Sequence, residues 1–431
     1  MKKVLTPIAA LVAAGLLTAC GSQSVKSSDS VVLTPSSVVD QYANIAEAAY
    51  GDSYTTALTL QSSIEAFLAK PTEVNLQVAK DAWIAARVPY QQTEVYRFGN
   101  AFVDDWEGKV NAWPLDEGLI DYVAEEQYGS ESDMNPLYTA NVIANANIEI
   151  GGKTVDASKI TPELIADFLQ EADGIEANVA SGYHAIEFLL WGQDLNGTNP
   201  GAGKRPATDY DVNNCSNGNC ERRREYLTAV TELLVSDLKF MADAWKNGGD
   251  ARSALLEQSP EEGLSTILTG MGSLAYGELG GERTKLGLML HDPEEEHDCF
   301  SDNTHWSHYY DAKGIKNVYL GEYQRVDGSW VKGPSLSALV AAKNPALDVE
   351  MKADLQSTEA AGQAMVDAAK KGQTFDVLIA MNNTAGNALV QTFVDSLVDQ
   401  TRTTEEVIRA LNLEGITLEG SDSLDNPSAV F

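Results

Sequence analysis

Residues Arg222 to Trp245, RRREYLTAVTELLVSDLKFMADAW, carry apolar side chains at Tyr226, Leu227, Val230, Leu233, Leu234, Leu238, Met241 and Trp245. Steps of three, four and seven residues place them on one stripe of an amphipathic α-helix. The same recurrence fills 384–400 and predicts long helices over 38–69, with a disturbance at Gly51, and over 74–98 after a break at Pro71. Further helices are expected over 161–173, 335–342 and 345–371. Strand signals are few: the Gly-Gly turn of 148–155 and the segment 318–331 read as small hairpins. The chain is therefore all-α, with minor β-hairpin ornaments. At 431 residues it exceeds one ordinary core, and the Gly-, Asn- and Pro-rich loop 192–220 is the best boundary. We expect two helical bundles of about four helices each, over 37–205 and 206–431.

The N-terminus reads as an address. Lys2 and Lys3 precede an apolar run from Leu5 to Leu17, too short to span a bilayer. Leu17-Thr-Ala-Cys20 resembles the lipobox of bacterial lipoproteins, with 1–19 as signal peptide and Cys20 as the lipidated residue. Gly21, which is not Asp, favours the outer membrane by the same resemblance, with the protein facing the periplasm or the surface. Residues 20–36 read as a tether. The formal charge of −33 excludes nucleic acid, which needs clustered Lys and Arg, and leaves the lipid as the sole attachment to the membrane. Cys215 and Cys220 flank a Gly/Asn loop and read as a short disulfide, with a thiolate metal site as the alternative.

Chemistry concentrates in Ser181-Gly-Tyr-His-Ala-Ile-Glu-Phe-Leu-Leu-Trp191. On a helix His184 and Glu187 share a face, in surroundings apolar enough that an unpartnered carboxylate would cost several kcal/mol. The pair calls for a hydrogen-bond network, a counter-ion or a metal, and a bundle interior supplies further ligands from facing helices. No His-Glu-x-x-His is present, and the inverted zinc motif would need histidine where Phe188 stands. Three other stretches carry polar groups in suggestive settings: Glu94 and Arg97 among aromatics, Trp113-Pro-Leu-Asp116-Glu117, and Glu278 with Glu282-Arg283 on a Gly-rich helical stretch. The segment 291–308 holds four of the five histidines, among them His305, together with Cys299 and Ser301.

Gly182-Tyr-His184-Ala-Ile-Glu187 resembles the Gly-x-His-x-x-Glu signature of the imelysin family. The resemblance extends through Ala82–Tyr90, Glu94–Phe98, Trp113–Glu117, Cys220–Tyr226, Gly277–Arg283 and Cys299–His305, and favours the family's iron-regulated subgroup. It implies two helical bundles with the motif helix facing a cleft near their junction. It further implies a metal held by His184, Glu187, Glu94 and Asp116, with Gly182, Arg97, Trp113, Glu278, Glu282, Arg283, Ser301 and His305 around the cleft. Three carboxylates and an imidazole suit iron and tolerate zinc or copper. The expected function is a lipid-anchored envelope protein that binds a metal ion or metal complex in iron acquisition, with an envelope iron-transport partner. The alternatives are a metallopeptidase, which the spacing disfavours, and a non-catalytic binding module for haem, polymer or protein.

Overall fold

The computed structural model describes residues 32–430. The expected signal peptide, Cys20 and most of the expected tether lie outside them. Helix α1 spans Pro35–Ala69. Thr34 caps it reciprocally with Ser37, and Pro35 takes the first position, where a missing N–H is harmless. Helical structure thus begins two residues inside the expected tether. Helix α1 runs through Gly51 without interruption, because one glycine costs a helix only about 1 kcal/mol.

Helix α2, Glu73–Gln91, starts at a Thr72 cap. It stops short of the expected Phe98. Pro89 offers no N–H to the helical ladder, and the Thr93 hydroxyl donates to the Tyr90 carbonyl at 2.6 Å. The chain then tightens into a 3₁₀ turn, Glu94–Tyr96. The helix expected over 161–173 is also shorter: a turn at Pro162–Leu164 widens into a π-helical Ile165–Leu169, and left-handed Glu171 and Asp173 follow.

The other long elements are α3 (Gly182–Trp191), α4 (Cys220–Ala244), α5 (Pro260–Ser273), α6 (Thr304–Leu320), α7 (Pro345–Ala369) and α8 (Thr384–Leu411). Helix α5 continues directly into a π-helical segment, Leu274–Lys285. Helices α1, α2, α3 and α4 pack as one group; α6, α7, α8 and the π-helical segment pack as another. Contacts of α1 with α5 and of α2 with α6 join them, and the described residues from Leu33 onward pack as one body. The boundary expected at 205/206 precedes α4, yet the partners of α4 include α1 and α3.

The opening stretch explains why. Trp245, which ends the apolar stripe, packs on Tyr42, Tyr50 and Tyr96 at ring separations of 6.3, 6.2 and 5.6 Å. At the other end, Arg222 donates to carbonyls of Val142, Ile143 and Ala157, and Arg224 to Leu68 and Tyr210. Between them Arg223 grips buried Asp121 at 2.6 and 3.0 Å. Three consecutive arginines therefore clamp three different stretches of backbone and loop onto α4. Cys215 and Cys220 are bonded, with Cα atoms 6.0 Å apart, which closes the loop just ahead of that helix.

Strands β1 (Asn147–Ile150) and β2 (Lys153–Asp156) form an antiparallel hairpin turned at Gly151-Gly152. Strands β3 (Glu322–Gln324) and β4 (Trp330–Lys332) form the second. Both are peripheral to a mostly all-α fold. Among the described residues no helix is long and apolar enough to cross a membrane.

Candidate metal centre

Helix α3 is buried along its whole length. Its start is held by close backbone approach: Gly182 has φ +79°, and a Cβ there would lie 2.5 Å from the Val110 carbonyl oxygen. The Tyr183 N–H donates to that same oxygen at 2.8 Å. The Trp83 indole donates to the Tyr183 carbonyl at 3.0 Å. Glycine is required because the position combines a left-handed conformation with a space that no side chain fits.

One turn on, His184 Nδ1 lies 2.9 Å from Glu187 Oε2. The other carboxylate oxygen of Glu187 accepts from the Ser301 N–H at 2.9 Å and the Ser301 hydroxyl at 2.6 Å. Both oxygens of Glu187 are thus committed. The remaining ring nitrogen of His184, Nε2, is buried and has no hydrogen-bond partner among the described residues.

What faces His184 comes from the histidine-rich segment. The His297 ring stands edge-on to it with centroids 4.7 Å apart, and packs on Trp113 at 5.7 Å. One ligand atom from each of His184, His297 and Asp298 lies within 4.8 Å of the others, and all three residues are buried. Asp298 is held firmly. Arg87 of α2 donates to Oδ1 at 2.7 Å, while Asn303 donates to Oδ2 at 2.8 Å and Ser307 donates to the same oxygen. Arg87 also donates to Asn111.

The electrostatics follow. Burial and the Arg87 charge hold His184 down to about 3, so the ring is neutral and Nε2 or Nδ1 keeps a lone pair. His297 is lowered too, first by burial and then by Arg283. Burial would raise Asp298, but Arg87 and His297 more than offset it and keep the carboxylate ionised. Glu187 is pushed up by burial and by Asp298, against the two Ser301 hydrogen bonds. Two imidazoles and one carboxylate, with one His carrying a carboxylate on its far nitrogen, are the donors of a transition-metal site and its supporting shell.

Glu94, Arg97, Asp116, Glu278, Glu282 and Arg283 sit apart from this cluster. Glu94 accepts from Arg283 at 2.8 Å, and Arg283 also reaches Glu278 at 2.7 Å and Asp311 at 3.3 Å. Arg97 joins that group through Glu278 and Asp104. Glu282 is exposed. In an α-helix it would stack on Glu278, but the π register pairs residues five apart and brings Arg283 over Glu278 instead. Asp116 accepts from Asn135 at 2.5 Å and lines a cleft of about 520 Å³ with Trp113, Glu117, Asp194, Glu294 and Cys299. Trp113, which packs on His297, thus stands between this cleft and the buried cluster. Ser301 is brought to Glu187, and His305 is buried with Nδ1 unpartnered among the described residues. Reasoning from sequence overlooked His297, Asp298 and Arg87 as individuals. The density of histidine and carboxylate in 291–308 was the available signal for the first two; Arg87 gave none beyond being a charge on the apolar side of α2.

The sequence profile described as Imelysin matches residues 46–404. Iron-regulated protein A of Synechococcus elongatus is 29% identical over 120 residues, a match that covers 28% of this chain and 33% of that protein. This stretch spans about a third of that relative's length. A crystal structure assigned to an iron-regulated protein A precursor of Parabacteroides distasonis superposes with a TM-score of 0.61 at 20% identity, covering 87% of this chain and 94% of the other. An imelysin-like protein from Psychrobacter arcticum gives 0.56 at 16%, covering 89% and 98%. These two share the fold. With a buried Gly-x-His-x-x-Glu helix at its centre and a profile match over most of its length, the chain belongs to the imelysin family.

Proposed function

We propose that the protein binds a transition-metal ion, iron in first place and zinc or copper as competitors, at His184, His297 and Asp298. It would do so as a lipid-anchored protein of the bacterial envelope serving iron acquisition, handing metal to a transport partner. The observation that carries the reading is His184 Nε2, buried without a partner beside His297 and Asp298 while Glu187 occupies Nδ1. A metal on Nε2 selects the Nδ1–H tautomer and with it an ionised Glu187. In this reading Glu187 orients the ligand and is not itself one, a change from the set implied by family resemblance.

The committed oxygens of Glu187 also favour binding over hydrolysis. A general base must reach a water, and Glu187, wholly buried, faces His184 and Ser301 instead. Arg87 adds a second observation. Its guanidinium already neutralises Asp298, so the site tolerates extra negative charge, which favours a metal arriving with an anionic co-ligand. Metal titration of the purified chain tests the proposal, with His184→Ala, His297→Ala and Asp298→Asn beside the wild type. Each substitution is expected to remove tight binding. Equal affinity in all four proteins would end the proposal.

A further inference from the structure

A second group of carboxylates lies beside the first site and shares none of its residues. Asp194 follows α3, Asp302 precedes α6, and Asp376 opens the short helix Phe375–Ile379. One oxygen from each lies within 4.8 Å of the others. Neither oxygen of Asp376 has a hydrogen-bond partner among the described residues, nor does Oδ1 of Asp302. Asp376 is wholly buried and Asp302 nearly so. The Thr374 hydroxyl is likewise without a hydrogen-bond partner among the described residues.

One further carboxylate outside this cluster is also buried: Glu296 is 1% exposed, with its Oε1 unpartnered among the described residues. Lys204 bears on Asp194 without forming an ion pair there. The three clustered aspartates have no guanidinium or ammonium paired to them among the described residues, in contrast to Asp298, which has Arg87. Buried like charges in this arrangement need protons or a cation. Asp194 also lines the acidic cleft with Asp116, Glu117 and Glu294, which gives a cation a route in.

We infer that Asp194, Asp302 and Asp376 form a second, all-oxygen cation site that takes a hard divalent ion of the calcium class. Such ions accept six to eight oxygens, and carboxylates, carbonyls and water supply them. The first site differs in kind, since imidazole donors suit transition metals and not calcium. Bound there, the ion fixes Asp302, which directly follows the segment that carries His297, Asp298 and Ser301 into the first site. The second site thereby steadies the first without touching its metal.

Calcium titration of the full chain, followed by calorimetry at pH 8, tests this directly. The wild type is expected to bind one calcium ion. Asp302→Asn and Asp376→Asn, which keep shape and remove charge, are each expected to weaken it by about 100-fold, the upper end of what supporting groups alone cost. His184→Ala is expected to leave calcium binding in place, which separates failure here from failure of the transition-metal proposal. Crystals soaked in Mn²⁺ give an independent readout, with an anomalous peak expected among the three aspartates. No calcium binding by the wild type, unchanged affinity in both Asn variants, or a Mn²⁺ peak elsewhere would overturn the inference.

Discussion

Replacing Gly182 by alanine probes the backbone joint that positions the metal centre. The residue sits at φ +79°, and a Cβ would lie 2.5 Å from the Val110 oxygen, 2.6 Å from its carbonyl carbon and 3.0 Å from its Cα. None of these atoms belongs to a side chain that can swing away. A non-glycine residue in a left-handed conformation costs about 1–3 kcal/mol, and forcing a methyl into packed backbone adds about 1–3 kcal/mol. The sum, about 2–6 kcal/mol, is a large part of the ~5–15 kcal/mol that holds a domain together. Relief would require α3 to retreat from Val110, which breaks the Tyr183 N–H bond and displaces His184 one residue further on. Urea denaturation at pH 7 is expected to show an unfolding free energy lowered by that amount, seen as a lower midpoint with little change in slope, and metal affinity is expected to fall along with it. A Gly182→Ala protein within about 0.5 kcal/mol of wild type, the range of ordinary surface changes, would refute the reasoning.

Three further outcomes follow from buried charge. Asp121 lies between Arg205 and Arg223 at 2.6 Å from each, so Asp121→Asn should cost about 3–5 kcal/mol by leaving buried Arg223 without a carboxylate and Arg205 with only Asp209 at 3.3 Å. Arg205 and Arg223 hold the Asp121 pKa below its ordinary value against the effect of burial; its contribution is therefore complete above the unfolded pKa of about 3.9 and lost as pH falls through the folded value. The stability gap between wild type and Asp121→Asn, measured by denaturation from pH 7 downward, should hold to about pH 5 and close below about 4. Arg283→Met should cost a similar ~3–5 kcal/mol, since buried Glu94 and Asp311 lose their counter-charge and Glu278 keeps only Arg97; a thermal melt equal to wild type would contradict this. Glu187→Gln should weaken metal binding by about 10–100-fold without abolishing it, because Glu187 acts through His184; complete loss of binding in a folded variant would instead make it a ligand.

Much of this was legible in the chain. Periodicity located α1, α4, α7 and α8, because long stripes of apolar residues average out local exceptions. It overshot at Pro89 and at Glu171, where a missing N–H and left-handed residues end helices that the apolar pattern would continue. It could not foresee the π register of Leu274–Lys285, since one extra residue per turn leaves composition unchanged and swaps which neighbour meets Glu278. His184 and Glu187 were visible because both lie on one short helix. Their partners were not, because Arg87, His297 and Asp298 are 97, 113 and 114 positions from His184 in number and meet it only through packing. Glu94 and Asp116 resembled ligands by type, yet Arg283 and Asn135 hold them, a choice made by tertiary contacts alone.

The central claim is that His184 Nε2 is a metal-binding atom. A crystal of the protein grown with Fe²⁺ under exclusion of oxygen, with data collected on both sides of the iron absorption edge, tests it most directly. The account predicts an anomalous peak at bonding distance from His184 Nε2, His297 and Asp298, with Glu187 still on Nδ1. A peak bonded to Glu187, Glu94 or Asp116 and away from His184 Nε2, or no peak beside His184 at saturating iron, would contradict it.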